Sequence, residues 1–304
     1  MERLKGIAMI IVGSIFWGAT GPMMEWLLQQ TTMTAEFMLA VRLMIAGILI
    51  LGIAAMQKKS IFSIWKNRNN SVQLLIFSVI GMVGLQFTFV KSIEVSNAII
   101  ATLLQFLAPI FIVIYTSVVG KVLPPRSQLI GIFGTLVGLF LLLTNGSVSG
   151  LLVSNEALVW GLLLGFTYAF YTLYPARLMA EVGVIIIIGW GMIIGGLMFS
   201  VAGQLWKTEQ WLLLLDPVNV FLIIATGIFG SFAYILFLTS LKYISPVETS
   251  ILSSFEPLTA MVISVVWLGA TLYSWQYVGI LLMLVFVVYL SIAGSKKATL
   301  RMSK

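Results

Sequence analysis

Ten apolar runs occupy most of this 304-residue chain, at roughly 6–27, 34–56, 72–92, 97–118, 127–144, 156–178, 183–206, 219–241, 246–267 and 275–294. Crossing the hydrocarbon core of a bilayer takes about 20 apolar residues per helix. Backbone groups in lipid must be satisfied within the chain, so runs of this kind are expected as helices. The links between them are short, and no stretch remains for a soluble domain. Composition agrees. The chain is 60% hydrophobic and 9% charged, with mean hydropathy +1.10, too little polar surface for a soluble protein of this size. The predicted fold class is an all-α membrane protein of ten transmembrane helices.

The charge distribution orients the bundle. With the N-terminus inside, fourteen Lys and Arg residues fall in cytoplasmic segments, Lys91 and Lys207 fall outside, and Arg42 lies within a span. That bias predicts an N-in/C-in chain. The net charge of +7 therefore faces anionic lipid headgroups, and no nucleic-acid partner is expected. The first run follows Arg3 and Lys5, is as long as a span and contains Trp17 and Pro22, so it is read as a retained helix. Cysteine and histidine are both absent, which excludes disulfides, thiol chemistry and histidine relays. Neither a cofactor nor a metal is expected.

Two stretches repeat 148 residues apart. One runs from Ala101 through Thr102 and Gln105 to Ala108-Pro109; the other runs from Thr249 through Ser253 and Ser254 to Glu256-Pro257. Gln128 and Gly131 recur as Gln276 and Gly279 at the same offset. A weaker match sets Trp17-Gly18 against Tyr168-Ala169. The expected organisation is one five-helix repeat over 1–145, a second over 155–295 and a basic tail over 296–304. Five is odd, so the second repeat enters the membrane from the opposite side, as inverted halves able to rock about a central site do. Local signals mark boundaries. Ser245-Pro246-Val247-Glu248 and Asp216-Pro217 read as helix starts, Ser96 as a cap, Pro124-Pro125 as an interruption, and Ile61–Trp65 as a patch on the inner surface.

Trp17-Gly18 in the first span, Arg42 in the second, small-residue helices ending at Pro109 or Glu256-Pro257, and the following Gly131 or Gly279 together resemble the EamA family of the drug/metabolite transporter superfamily. The resemblance covers nearly the whole chain. It implies a ten-helix inverted repeat, secondary transport of small metabolites such as amino acids, often outward, and a cavity among the central helices with spans five and ten peripheral. The chain departs from the family pattern at Ala108-Pro109, where Glu-Pro is common, and at Lys121 and Ala270, where a glutamate is common in the turn.

Glu256 lies about eleven residues into its run, where an unpaired charge is costly. It is a candidate for proton coupling or for binding a substrate amine; it could equally be a packing carboxyl beside Pro257. Arg42 could hold a substrate carboxylate, or it could snorkel or pair with an acidic group. Trp17, Gln86, Gln105, Tyr168, Tyr171, Ser231, Tyr234 and Ser253 complete the expected substrate-binding set, since polar and aromatic groups gather in the central helices. Each alone is more often packing than contact. Gly21, Pro22, Pro109 and Pro257 are expected helix breaks or gates, because proline removes a backbone donor. The leading expectation is a secondary active exporter of small organic metabolites, amino-acid-like or related, working by alternating access. Its partners would be the solute, protons as coupling ion and membrane lipid, and its place the bacterial cytoplasmic membrane. A passive channel, a lipid flippase and an intramembrane transferase are the alternatives. No Walker A loop is present.

Overall fold

The computed structural model describes residues 2–302 apart from 149, 245–248, 250 and 251; the side chains of 238, 291 and 293–302 also lie outside the description. Its helices are α1 (Glu2–Gln30), α2 (Ala35–Met56), α3 (Arg68–Val95), α4 (Ala98–Gly120), α5 (Arg126–Thr144), α6 (Asn155–Val182), α7 (Val184–Ala202), α8 (Pro217–Ser240), α9 (Phe255–Leu268) and α10 (Ser274–Met302). Among the described residues, eight helices, α1 to α8, are long and apolar enough to cross a membrane. Two shorter apolar helices follow, α9 and the Ser274–Leu290 part of α10.

The helix starts show why the chain divides where it does. Thr34 caps α2 through the Phe37 N–H, Ser154 caps α6 through the Ala157 N–H, and Asp216 caps α8 with Pro217 in the first turn. The cap of α4 is Asn97, whose side chain accepts from the Ile100 N–H; the expected Ser96 instead donates back to the Ser92 carbonyl. The amide oxygen one position later is better placed for the first orphan N–H groups. The expected start at Ser245–Glu248 lies outside the described residues.

Several helices are irregular. α3 winds as a π-helix over Phe77–Val83. α4 breaks between Gln105 and Ala108, α6 between Leu173 and Ala176, and a turn at Ser253 and Ser254 precedes α9. By contrast, α1 runs through Gly21 and Pro22 without interruption, so the helix break expected there is absent. The hydroxyl of Thr20 donates to the Trp17 carbonyl at 2.7 Å and gives one backbone group of this turn a side-chain partner.

Packing follows an internal two-fold pattern. α1 lies along α8 and α3 along α6; α1 meets α9 and α4 meets α6; α2 touches α8 and α3 touches α7. α2 pairs with α7, α4 with α9, and α5 with α10. Exchanging each helix with the one five places on maps these pairings onto themselves. The largest apolar core gathers Phe37, Met38, Phe77, Met82 and Ile187 from α2, α3 and α7. A second cluster joins α4 to α5 and α10 through Leu103, Leu107, Leu142 and Met283.

The α5–α10 contact depends on glycine. A Cβ on Gly138 would lie 2.7 Å from the Met283 nitrogen and 2.8 Å from the Gly279 carbonyl oxygen, and backbone atoms cannot swing aside. Small residues permit this approach in the absence of a hydrophobic drive between membrane helices. Gln276 reinforces it by donating to the Leu142 carbonyl at 2.9 Å. Gly138→Val is expected to cost about 1–3 kcal/mol through overpacking. Gly52→Ala, with open space around it, is expected not to lower stability. Thermal unfolding in detergent, followed by intrinsic fluorescence, checks both.

Candidate substrate cavity

The interruption of α4 and the turn before α9 meet inside the bundle. Pro109 and Pro257 stand in the first turn of the segment after each break, where a missing N–H costs nothing. In α4 the break lies just before its proline, and α9 starts after the turn at Ser253 and Ser254, two residues before its own. Gln105, the last residue before the α4 break, donates through Nε2 to Glu256 Oε1 at 3.3 Å, and Glu256 lies in the first turn of α9. α1 approaches this crossing closely. A Cβ on Gly18 would collide with the Glu256 carbonyl, and one on Gly21 would lie 3.2 Å from the Ala98 Cβ. Thus the small-residue face of α1 packs against α9 and α4, while Trp17 turns toward Tyr234 and Phe237, with ring centroids 6.3 and 5.5 Å away.

Around this crossing lies a cavity of about 300 Å3. Trp17, Arg42, Gln86, Gln105, Tyr168, Tyr171, Tyr234 and Glu256 all line it. The structure thus brings together eight of the ten residues that the sequence put forward as substrate-binding. Ser231 and Ser253 are not in the lining. Ser231 is fully buried and returns its hydroxyl to the Gly227 carbonyl of its own helix at 2.8 Å. Ser253 sits in the turn before α9 and accepts, through its carbonyl, the Glu256 N–H at 2.9 Å. Thr20, Phe89, Thr172, Met179, Met192 and Phe237 also line the cavity and were not singled out from sequence. Thr20 and Phe89 lie three residues beyond Trp17 and Gln86, so helical periodicity could have found them. Met192 carries no signal beyond apolarity.

Arg42 is buried, 8% exposed, on α2. Its Nη1 donates to Gln86 Oε1 at 2.9 Å and lies 3.4 Å from Met24 Sδ. Gly230 leaves room beside its other amino group, since a Cβ there would lie 3.4 Å from Nη2. Among the described residues no carboxylate pairs with Arg42, so the ion pair that sequence reasoning weighed is not what holds it. Glu25 is a buried carboxylate with a defined structural task. It accepts the Ala98 N–H at 2.8 Å and Gln29 Nε2 at 3.2 Å, tying the end of α1 to the start of α4.

Chemically, the site offers one guanidinium, one carboxyl, two amides and a wall of aromatic rings, in a volume at the lower end of small-molecule pockets. Among the described residues no group of acidic side chains could hold a metal ion. A further space of about 300 Å3 between Lys59, Ser60, Ser63 and the start of α7 contains none of the candidate residues.

The apolar helices thus enclose a central cavity walled largely by aromatic and apolar side chains, with one guanidinium and one carboxyl among them. The chain belongs to the EamA-like transporter family, whose pattern matches residues 4–144 and again 155–292. It is therefore a transporter by family and not an enzyme. It is 34% identical over 305 residues to an uncharacterized inner membrane transporter of Salmonella typhimurium, YicL, covering 97% of both chains. It is 23% identical to an uncharacterized transporter of Bacillus subtilis, YyaM, over 94% of this chain and 93% of the other. A solved structure described only as "Crystal structure of protein" superposes with a TM-score of 0.63 at 14% identity, over 98% of this chain and 99% of that one, and so shares the fold.

Filling the space beside Arg42 separates cavity from scaffold. Gly230→Val is expected to lower the initial rate of transport at least about 10-fold while unfolding temperature holds. Ser231→Ala, one residue on but outside the lining, is expected to keep transport and to cost about 1 kcal/mol or less. Export of whichever metabolite rises in the medium on expression gives the rate.

Proposed function

We propose that this protein is a secondary active transporter that exports small organic metabolites, amino-acid-like or related solutes, by alternating access. The observation that carries the reading is the cavity itself, built where the break of α4 and the start of α9, one from each matched half, meet at Gln105 and Glu256. Discontinuous helices that meet at mid-bundle are how transporters expose polar groups inside a membrane. In this reading all ten helices span, 1–145 and 155–295 are inverted halves, and both termini face the cytoplasm, with the tail 296–304 against anionic lipid. The fourteen-to-two distribution of basic residues supports the orientation. The pairings that recur when the halves are exchanged, α1–α8 with α3–α6 and α1–α9 with α4–α6 among them, support the symmetry.

On that orientation the outer ends of α1 and α9 carry the stacked rings of Trp26 and Trp267, 6.3 Å apart and 9° from parallel. The Glu25–Ala98 bond lies on the same side. These contacts would close the outer path in this state and part in the other. Pro109 and Pro257, beside the breaks, are the hinges of that exchange. Trp17, Arg42, Gln86, Gln105, Tyr168, Tyr171, Tyr234 and Glu256 bind the solute. Glu256 is the coupling group, its proton exchanged with the cycle and its carboxyl returned to Gln105 when empty. The cytoplasmic membrane of a bacterium is the site of action, in keeping with the printed description of the Salmonella relative.

Purified protein in liposomes is expected to show counterflow of its solute, accelerated by solute on the far side; an open pore shows no such acceleration. Glu256→Gln is expected to abolish the response of uptake to an imposed pH gradient while counterflow persists. Uptake driven equally by the gradient in wild type and mutant would remove Glu256 from coupling.

A further inference from the structure

Among the described residues, the partners of the buried cation Arg42 are all neutral. Nη1 meets the amide oxygen of Gln86 and the sulfur of Met24. The two buried carboxylates among the described residues are engaged elsewhere, Glu25 by the Ala98 N–H and Gln29, Glu256 by Gln105. A buried charge without a counter-charge is expensive, and more so at membrane depth. Such a cost is retained where a ligand supplies the missing charge. The Nη2 edge is where that ligand would come: Arg42 lines the cavity, and Gly230 leaves the space beside Nη2 unfilled.

The geometry points to a transported solute that carries a carboxylate, with Arg42 as its counter-charge and Gln86 as the residue that positions the guanidinium. This rests on the reading of the cavity as the solute's site. The planar fork of a guanidinium matches the two oxygens of a carboxylate. Gln86 fixes one amino group at 2.9 Å with a neutral acceptor, which orients the fork without consuming its charge. A glutamate in its place would do the same and neutralise it. Glu256, in the same lining, argues against a doubly charged phosphate, since two further negative charges would face one cation. The rings of Trp17, Tyr168, Tyr171 and Tyr234 then receive the solute's apolar part. Uncharged sugars and nucleosides and simple amines leave Arg42 unneutralised.

The test uses matched probes on the purified protein, with tryptophan fluorescence and thermal shift as readouts: 3-phenylpropionate, its primary amide, phenethylamine and phenyl phosphate. The acid is expected to bind about 10–100-fold more tightly than the amide, the worth of a charge-assisted hydrogen bond. Arg42→Gln is expected to erase that preference. Gln86→Glu is expected to lower acid binding by a similar factor and leave amide binding unchanged, whereas Gln86→Leu keeps a preference for the acid. A purely structural Gln86 would shift acid and amide together. The proposal is overturned by the absence of an acid-over-amide preference in wild type, by a preference that survives Arg42→Gln, or by tighter binding of the phosphate ester. The two readings fail separately. Export of amines or sugars that survives Arg42→Gln overturns the carboxylate site and leaves the transporter reading intact. Selective binding of the acid without its counterflow in liposomes supports the site and removes the transporter reading.

Discussion

Inside a bilayer no water is at hand to satisfy a backbone N–H or carbonyl, and that constraint orders this structure. A helix may break there only where protein or an internal cavity meets the groups it releases. α4 breaks and α9 begins after a turn, and the two points face each other, with Gln105 and Glu256 touching between them. The proline in each repeat is the local cause. It cannot continue an incoming helix without losing a bond, yet it opens a new helical segment at no cost. The polar centre of the bundle therefore follows from two prolines and the requirement that their surroundings stay out of lipid. α1 can serve as the wall of this centre because Gly18 and Gly21 let it lie directly against α9 and α4.

The duplication explains the scaffold and stops short of the chemistry. Several helix pairings and the prolines at 109 and 257 recur across the halves, whereas the charged groups of the cavity do not. Position 108 is alanine where the second repeat has Glu256, and Arg42 has no basic counterpart in α7, whose sequence is wholly uncharged. Two-fold symmetry suits a machine that must present one site to either side. Recognition of an asymmetric solute needs the symmetry broken, and here it is broken at the few positions that reach the cavity.

Much of this was legible in the sequence because membrane helices declare themselves by length and apolarity, and because the repeat fixes which helices correspond. Eight of the ten proposed contacts reach the cavity since polar groups placed mid-span have few other places to go. The failures share a physical cause. Ser231 looked like a cavity residue, but a hydroxyl can satisfy itself on the carbonyl four residues back, so its presence says little about what it faces. Pro22 looked like a break, but a proline inside a packed membrane helix need not interrupt it, and α1 stays helical through it. The role of Glu25 needed the three-dimensional contact with Ala98, 73 residues away, which no local pattern announces.

The contrast between Glu25 and Arg42 says most about how charge is used here. Both are ionisable groups held away from lipid, and both are buried to a similar degree, at 4% and 8% exposure. Glu25 has two donors of defined geometry, one of them the first N–H of another helix, where the helix end itself favours a negative group. Its cost is met by the fold, and it reads as architecture. Among the described residues Arg42 meets an amide oxygen and a thioether, neither of which carries charge. Stability alone would favour a carboxylate at position 86 or an apolar residue at position 42, since an unpaired buried ion is among the more costly features a membrane protein can keep. A fold that satisfies one buried charge so fully and leaves the other to neutral neighbours, on the wall of its central cavity, has reserved that second charge for a molecule that comes and goes.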